Sequence, residues 1–203
     1  MPVYAVISGC ILPVPPMSNH SDFPELATAR FVLREFVQSD IDAVFRGLSH
    51  PQVIAHYGVS YATRDDTQQQ MDWFRQLVVE QRGIWWAIGD ANAPATLLGA
   101  CGFNDRDHDH RHADIGYWLL PEFWGRAVMR ECLPAMLDYG FGALALHRIA
   151  AEVEPENIRS SSLLVDLGFV HEGTRRECEF KDGRFLDLAD YALLHREWRG
   201  TGR

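Results

Sequence analysis

Lysine is nearly missing. Lys181 is the only one in 203 residues, against eighteen arginines, and so uniform a bias reads as codon usage rather than as mechanism. Positive charge as a whole is also short: 28 Asp+Glu face 19 Lys+Arg, a formal net charge of -9. That balance argues against nucleic acid or anionic membrane as partner and suits a cationic substrate. Cysteine is sparse, and Cys10, Cys101, Cys132 and Cys178 form no C-x-x-C pair and no metal-ligand spacing. Free thiols in a reducing, cytoplasmic compartment and no metal are therefore expected. No apolar run approaches the ~20 residues of a membrane span. The first sixteen residues, MPVYAVISGCILPVPP, are apolar but have no basic lead and end in prolines, so a signal peptide is not expected either. They read as part of an irregular arm over residues 1–24, with Met17 as a candidate translation start.

The chain contains 47% hydrophobic and 23% charged residues, a globular make-up that excludes disorder. A chain of this size buries roughly 70% of its unfolded surface and folds without a disulfide or metal. With no repeat and no linker, residues 25–200 read as one α/β domain. RFVLREF looks like a strand. Ser39 or Asp40 then caps a helix with Ile41, Val44, Phe45 and Leu48 on one face. A second helix is predicted from about Asp66 to Gln81, with Gly83 as its stop. IWWAIG and TLLGACGF form a hairpin, and ADIGYWLL follows a polar loop, NDRDHDHRH. Helix, strand, helix and strand then alternate from Arg126 to FVHEGTRRE, and DLADYALLHREW is the last strand. Crossovers of this length join parallel strands, so a mixed sheet is expected, antiparallel first and parallel near its middle.

Two segments carry chemistry. In YWLLPEFWGRAVMRECL a strand runs through a turn and a glycine directly into a helix, whose unpaired first-turn N–H groups favour phosphate. In AEVEPENIRSSSLLVDLGFVHEG, Asn157 opens a short helix that Gly168 and Phe169 close. From Pro121 to Arg176 there are six arginines against eight acids, so bulk charge does not attract phosphate there. The tract Asp105, Asp107, His108, Asp109, His110, His112 reads as a solvated hairpin loop rather than a metal site. Trp85 and Trp86 point to opposite faces of a strand: one is core, and the other is open to a substrate cleft or to a homodimer contact.

These segments, together with LREF, IGYWLLPEFWGRA, V-x-x-x-N-x-x-S, LGFVHEG and the closing D-x-x-x-Y, resemble the GNAT acetyltransferase superfamily and most closely its RimJ/RimL type. The resemblance spans residues 25–198 and implies a GNAT fold: a mixed sheet of about seven strands flanked by about four helices. The phosphate loop falls on Glu122 to Ala127. Gly125 and Ala127 match it, Glu122 does not, and backbone N–H groups from Trp124, Gly125, Arg126, Ala127, Val128 and Met129 are implied to hold the pyrophosphate of acetyl-CoA. Pro134 is a second departure that should kink the helix. Leu119 and Leu120 are implied to face the pantetheine arm and the thioester, where a backbone N–H stabilises the oxyanion. Asn157 matches the residue that reaches pantetheine, and Ser160 the hydroxyl that protonates the thiolate. Glu179 is implied as base, with Asp114 in reserve; Asp187 and Tyr191 complete the closing motif.

The activity implied is acetyl transfer from acetyl-CoA to a primary amine by direct attack in a ternary complex, since no cysteine has a histidine partner for a covalent route. The acceptor is a protein N-terminus or a small amine such as an amino acid, polyamine or antibiotic. The alternative is a CoA-binding module without catalysis, in which Glu122 and Pro134 mark decay of the site.

Overall fold

The structure, a computed structural model, describes residues 23–200; most of the expected arm, including Met17, lies outside them. Two strands, β1 (Leu26–Ala27) and β2 (Phe31–Arg34), precede three helices, α1 (Ile41–Leu48), α2 (Pro51–Ile54) and α3 (Gln68–Val79). A meander of β3 (Ile84–Asp90), β4 (Ala93–Asp107) and β5 (His112–Leu119) follows. The chain then alternates through α4 (Val128–Gly142), β6 (Arg148–Val153), α5 (Ile158–Asp166) and β7 (Val170–Lys181), and closes with β8 (Arg184–Leu194). All eight strands share one sheet, in the order β1-β2-β3-β4-β5-β6-β8-β7. The strand beyond the expected seven is the two-residue β1, too short to show a period.

Helix positions follow the apolar spacing. Ile41, Val44 and Leu48 of α1, and Met71, Phe74 and Leu77 of α3, are buried on one face of the sheet, where they meet Trp85 and Trp118. α4 and α5 cover the other face, where Leu133, Met136, Leu137 and Leu164 pack with Trp86, Phe103 and Ile149. Both adjacent tryptophans are thus core, Trp85 3% and Trp86 0% exposed, and neither is left for a cleft or a dimer contact. Trp85 lies in register with Gly102 of β4, itself paired with Gly116 of β5. A Cβ at Gly102 would stand 2.3 Å from the Trp85 ring, and one at Gly116 2.7 Å from its far edge, so the two glycines make the space the indole fills. Phe23 and Pro24 also belong to the packed domain. The Trp86 indole donates to the Pro24 carbonyl at 2.7 Å, and Phe23 meets the same ring edge-on.

Several boundaries differ from the sequence expectation for local reasons. Asp40 does not cap α1 with its side chain. It is buried, accepts two hydrogen bonds from Arg34 at 2.7 and 2.8 Å, and also accepts the Val37 N–H. α3 stops at Val79, with Gln81 rather than Gly83 in the left-handed region. The polar tract is strand as far as Asp107, leaving only the turn between β4 and β5 as loop. α4 passes through Pro134 without interruption. Among the described residues the one parallel contact is β5 with β6. The second crossover does not lay β7 beside β6, because β8 enters between them, antiparallel to both.

Gly102→Ala should lower stability by about 1–3 kcal/mol through overpacking against Trp85, read from the urea midpoint; an unchanged midpoint would mean that Trp85 moves aside freely.

Candidate active site

β5 and β6 pair only from His112–Arg148 to Asp114–Ala150. Past that point β5 stays with β4 as far as Leu119, and β6 stays with β8 as far as Val153. The sheet therefore opens between Ile115 and Ala151 into a notch edged by unpaired backbone. Bonded and non-bonded pairs alternate along an antiparallel ladder. The Leu120 N–H donates to the Leu98 carbonyl at 2.9 Å, which turns the backbone groups of Tyr117 and Leu119 away from β4 and into the notch. The Leu119 carbonyl there accepts the Trp124 indole N–H at 2.9 Å, and its N–H remains. Of the two backbone donors expected, Leu119 faces the opening, whereas the Leu120 N–H is spent inside the sheet.

A short 3-10 turn, Pro121–Phe123, leads from β5 to the start of α4. Gly125 at φ 73 and Ala127 at φ 58 are both left-handed. Both reversals fall in the loop just ahead of the helix, and the alanine's is costly. The Trp124 N–H is an exception to the expected set, since it donates to Pro121. The first-turn N–H groups of α4 have no acceptor inside the helix. A Cβ at Gly125 would meet no atom within 4 Å, so the space over the loop is open. Glu131 anchors the loop from below by accepting hydrogen bonds from Thr28 Oγ1 at 2.7 Å and from the Arg30 backbone and Nε at 2.8 and 2.6 Å. Arg30 Nη1 also donates to the Arg126 carbonyl. Burial pushes the Glu131 carboxyl up, but these hydrogen bonds outweigh it and hold it below the usual range.

The guanidinium groups of Arg126 and Arg159 lie 5.5 and 5.8 Å from the ring centroids of Phe123 and Trp124, while Arg130 is paired with Asp166. Glu122, the residue that departs from the family pattern, turns toward Arg46 at 3.4 Å. An open glycine, oriented donors and two arginines beside the loop fit a pyrophosphate.

On α5, Asn157 caps the helix by accepting the Ser160 N–H at 3.2 Å, leaving its amide NH2 without a partner among the described residues. Ser160 Oγ lies 2.6 Å from the Tyr117 hydroxyl. Burial pushes that phenol up to about 12, against a smaller opposing effect of the Ser160 hydrogen bond, so it is protonated at neutral pH. Tyr117 carries no role in the sequence reading, although its parity with Leu119 on β5 marks it as notch-facing. Cys101 and Cys132 are buried, and burial raises both thiols, Cys132 to about 12. Neither is a thiolate nucleophile.

The opposite face of the notch, under α1–α3, is built differently. His56 Nδ1 lies 2.8 Å from Glu154 Oε2. Lys181 Nζ donates to Glu154 Oε1 at 2.9 Å and to the Ala55 carbonyl at 2.8 Å. This cluster joins the segment after α2, the end of β6 and the β7–β8 hairpin. No motif marks it, and its one sequence signal is that Lys181 has no counterpart. Glu179 is half-buried, opposite Leu186, and shares a strand face with Lys181 two residues on, so it belongs to this side. Asp114 sits where the ladder ends, and burial, with the charges of Asp105 and Glu152, raises its carboxyl. The site residues thus fall on two walls: Leu119, Gly125–Met129, Asn157 and Ser160 on the α4–α5 side, and Glu179 on the other.

A sheet parted at its middle, with an anion cradle on one side and a hydroxyl pair at the gap, is the architecture of an acyl-group transferase. Residues 30–170 match the Acetyltransferase (GNAT) domain family, and the chain belongs to that family, in its RimJ/RimL-like subgroup. It is an acetyl-CoA-dependent N-acetyltransferase. An uncharacterized N-acetyltransferase of Bacillus subtilis, YoaA, is 34% identical over 173 residues, 85% of this chain and 97% of that protein. The [ribosomal protein uS5]-alanine N-acetyltransferase of Escherichia coli is 32% identical over 103 residues, 50% of this chain and 53% of that one. Among solved structures, the spermidine N-acetyltransferase of Vibrio cholerae in complex with CoA and spermine superposes with a TM-score of 0.74 at 23% identity, covering 82% of this chain and 96% of that one.

Gly125→Val should weaken CoA binding at least tenfold, because the side chain enters the open space over the loop at a φ that β-branched residues avoid. Isothermal titration with CoA checks this, and an unchanged Kd would misplace the pyrophosphate.

Proposed function

We propose that the chain acetylates the primary amine of a cationic acceptor, with a protein N-terminus as the leading candidate, by direct attack in a ternary complex. The observation that carries this reading is the notch, with phosphate-binding loop and hydroxyl pair on one face and a wall rich in carboxylates on the other. The two substrates approach from opposite sides and meet at the unpaired edge of β5. The N-terminal acceptor draws support from the uS5-alanine relative, and the same acidic wall accommodates a polyamine.

The roles follow from position. The loop N–H groups from Gly125 to Met129, with Arg126 and Arg159, bind the pyrophosphate of acetyl-CoA, and the amide of Asn157 meets the pantetheine arm. The Leu119 N–H points where negative charge develops on the acyl oxygen, an effect worth about 3 kcal/mol in comparable sites. The amine nitrogen forms its bond to the acyl carbon as the carbon–sulfur bond breaks. Ser160, backed by the protonated Tyr117, gives the departing sulfur its proton. Glu179, with Asp114 in reserve, is the carboxylate that meets the incoming ammonium. Because Glu122 turns away and α4 continues through Pro134, neither departure disables the loop.

Thiol release from acetyl-CoA with a panel of Ala- and Ser-initial peptides, free amino acids and spermidine should show turnover with peptides. Activity confined to spermidine would move the acceptor to polyamines. Ser160→Ala should lower kcat by roughly 10²-fold with the acetyl-CoA Kd unchanged, and a full kcat would remove Ser160 as acid. Glu179→Gln should raise KM for the amine roughly tenfold, at a cost of about 1.4 kcal/mol of binding; an unchanged KM would remove Glu179 from the acceptor wall.

A further inference from the structure

The acceptor wall holds a group that the roles above do not use. His56 gives one ring nitrogen to Glu154, and its Nε2 has no partner among the described residues. Its side chain is 33% exposed while that of Glu154 is 9% exposed, so the carboxylate is buried beneath an imidazole whose free edge faces outward. The free ring edge is therefore open to an incoming group, while the buried carboxylate fixes the ring from behind. We propose that His56, oriented by Glu154, takes the proton from the acceptor amine. The proposal rests on the amine-acetylation reading.

The chemistry suits the geometry. An ammonium must lose a proton before its nitrogen can attack, and a base that titrates near neutrality is best matched to that task. Imidazole, ordinarily near 6.5, is the side chain of that kind. The Nδ1–H donated to Glu154 leaves the Nε2 lone pair outward. Lys181 bears on the charge of the pair: its ammonium is hydrogen-bonded to the other oxygen of Glu154 and offsets the carboxylate. Burial pushes the Glu154 carboxyl up, but hydrogen bonds from Lys181 and His56 outweigh it and hold it below the usual range. Asp114, Glu179 on the same strand face as Lys181, and Tyr57 and Tyr61 after His56 are further titratable groups on this wall among the described residues. The Tyr57 hydroxyl is pushed up chiefly by burial and further by Tyr61, so it stays neutral.

The proton count closes. One proton passes from the ammonium nitrogen to Nε2 and on to solvent. A second, lost from nitrogen once the carbon–nitrogen bond has formed, restores the Ser160 hydroxyl that protonated the sulfur.

The test is the pH dependence of kcat/KM with the peptide or spermidine turned over in the panel. The wild type should show a rising limb distinct from that of the amine itself, which titrates at about 8 or above. His56→Gln should abolish that limb and lower kcat roughly 10²-fold, with the acetyl-CoA Kd unchanged. Lys181→Met leaves His56 in place and removes the neutralising cation, so it should move the limb upward by about one pH unit, a tenfold change in proton affinity. A wild-type limb retained in His56→Gln, or lost instead in Glu179→Gln, overturns the proposal. Should His56→Gln fail to fold, an unshifted limb in Lys181→Met overturns it alone. A wild type that binds CoA yet turns over no amine overturns the acceptor reading first, and the base assignment with it.

Discussion

The organisation of this molecule depends on one pairing that is left unfinished. A parallel ladder between β5 and β6 could continue past Asp114 and Ala150, since both strands run on, and each further rung would satisfy backbone groups that are otherwise costly to leave unpaired. The sheet forgoes them. β4 holds β5 and β8 holds β6 to their ends, so the gap is rigid on both sides rather than frayed. Rigidity matters because a donor such as the Leu119 N–H assists a reaction only if it already points at the place where charge will form. The Trp124 indole, by taking the Leu119 carbonyl, leaves at this rung a donor without a competing acceptor.

The same opening resolves a conflict in the charge. On the reading proposed above, a chain at net -9 binds a polyphosphate without a basic patch. Left-handed Gly125 and Ala127 stand just ahead of a fifteen-residue helix, whose dipole acts within the first turn. The carboxylates of Glu154 and Glu179 stand on the other wall. Glu131 shows how the two demands are kept apart. It lies at the helix start, where a carboxylate competes with phosphate, yet Thr28 and Arg30 engage it from below.

Much of this was legible in the sequence. The strand–glycine–helix junction at Gly125 and the Asn157 cap are local signals, written in a few consecutive residues whose backbone preferences decide the geometry. The apolar spacing of α1 and α3 is equally local. Long-range pairing was not legible. Nothing in DLADYALL says that it enters between β6 and β7, and a crossover helix alone suggests adjacent parallel strands. Leu120 was misjudged for a related reason: which of two neighbouring N–H groups faces the gap depends on the β4 register, which is set by residues twenty positions earlier. Asp40 looked like a cap because caps are local, but Arg34 made it a buried ion pair.

The lysine deficit also takes on a different meaning at one position. Read as codon usage, the bias toward arginine fits a surface where either side chain serves. It does not explain why Lys181 remains. Its ammonium sits at the meeting point of three segments, within hydrogen-bond reach of a carbonyl and a largely buried carboxylate at once. A compact, tetrahedral donor satisfies two acceptors lying in different directions, whereas a planar guanidinium fork is shaped for two acceptors side by side. Arg34 on Asp40 and Arg148 on Glu172 use that fork in full. The one place that keeps lysine is thus one where arginine has the wrong shape.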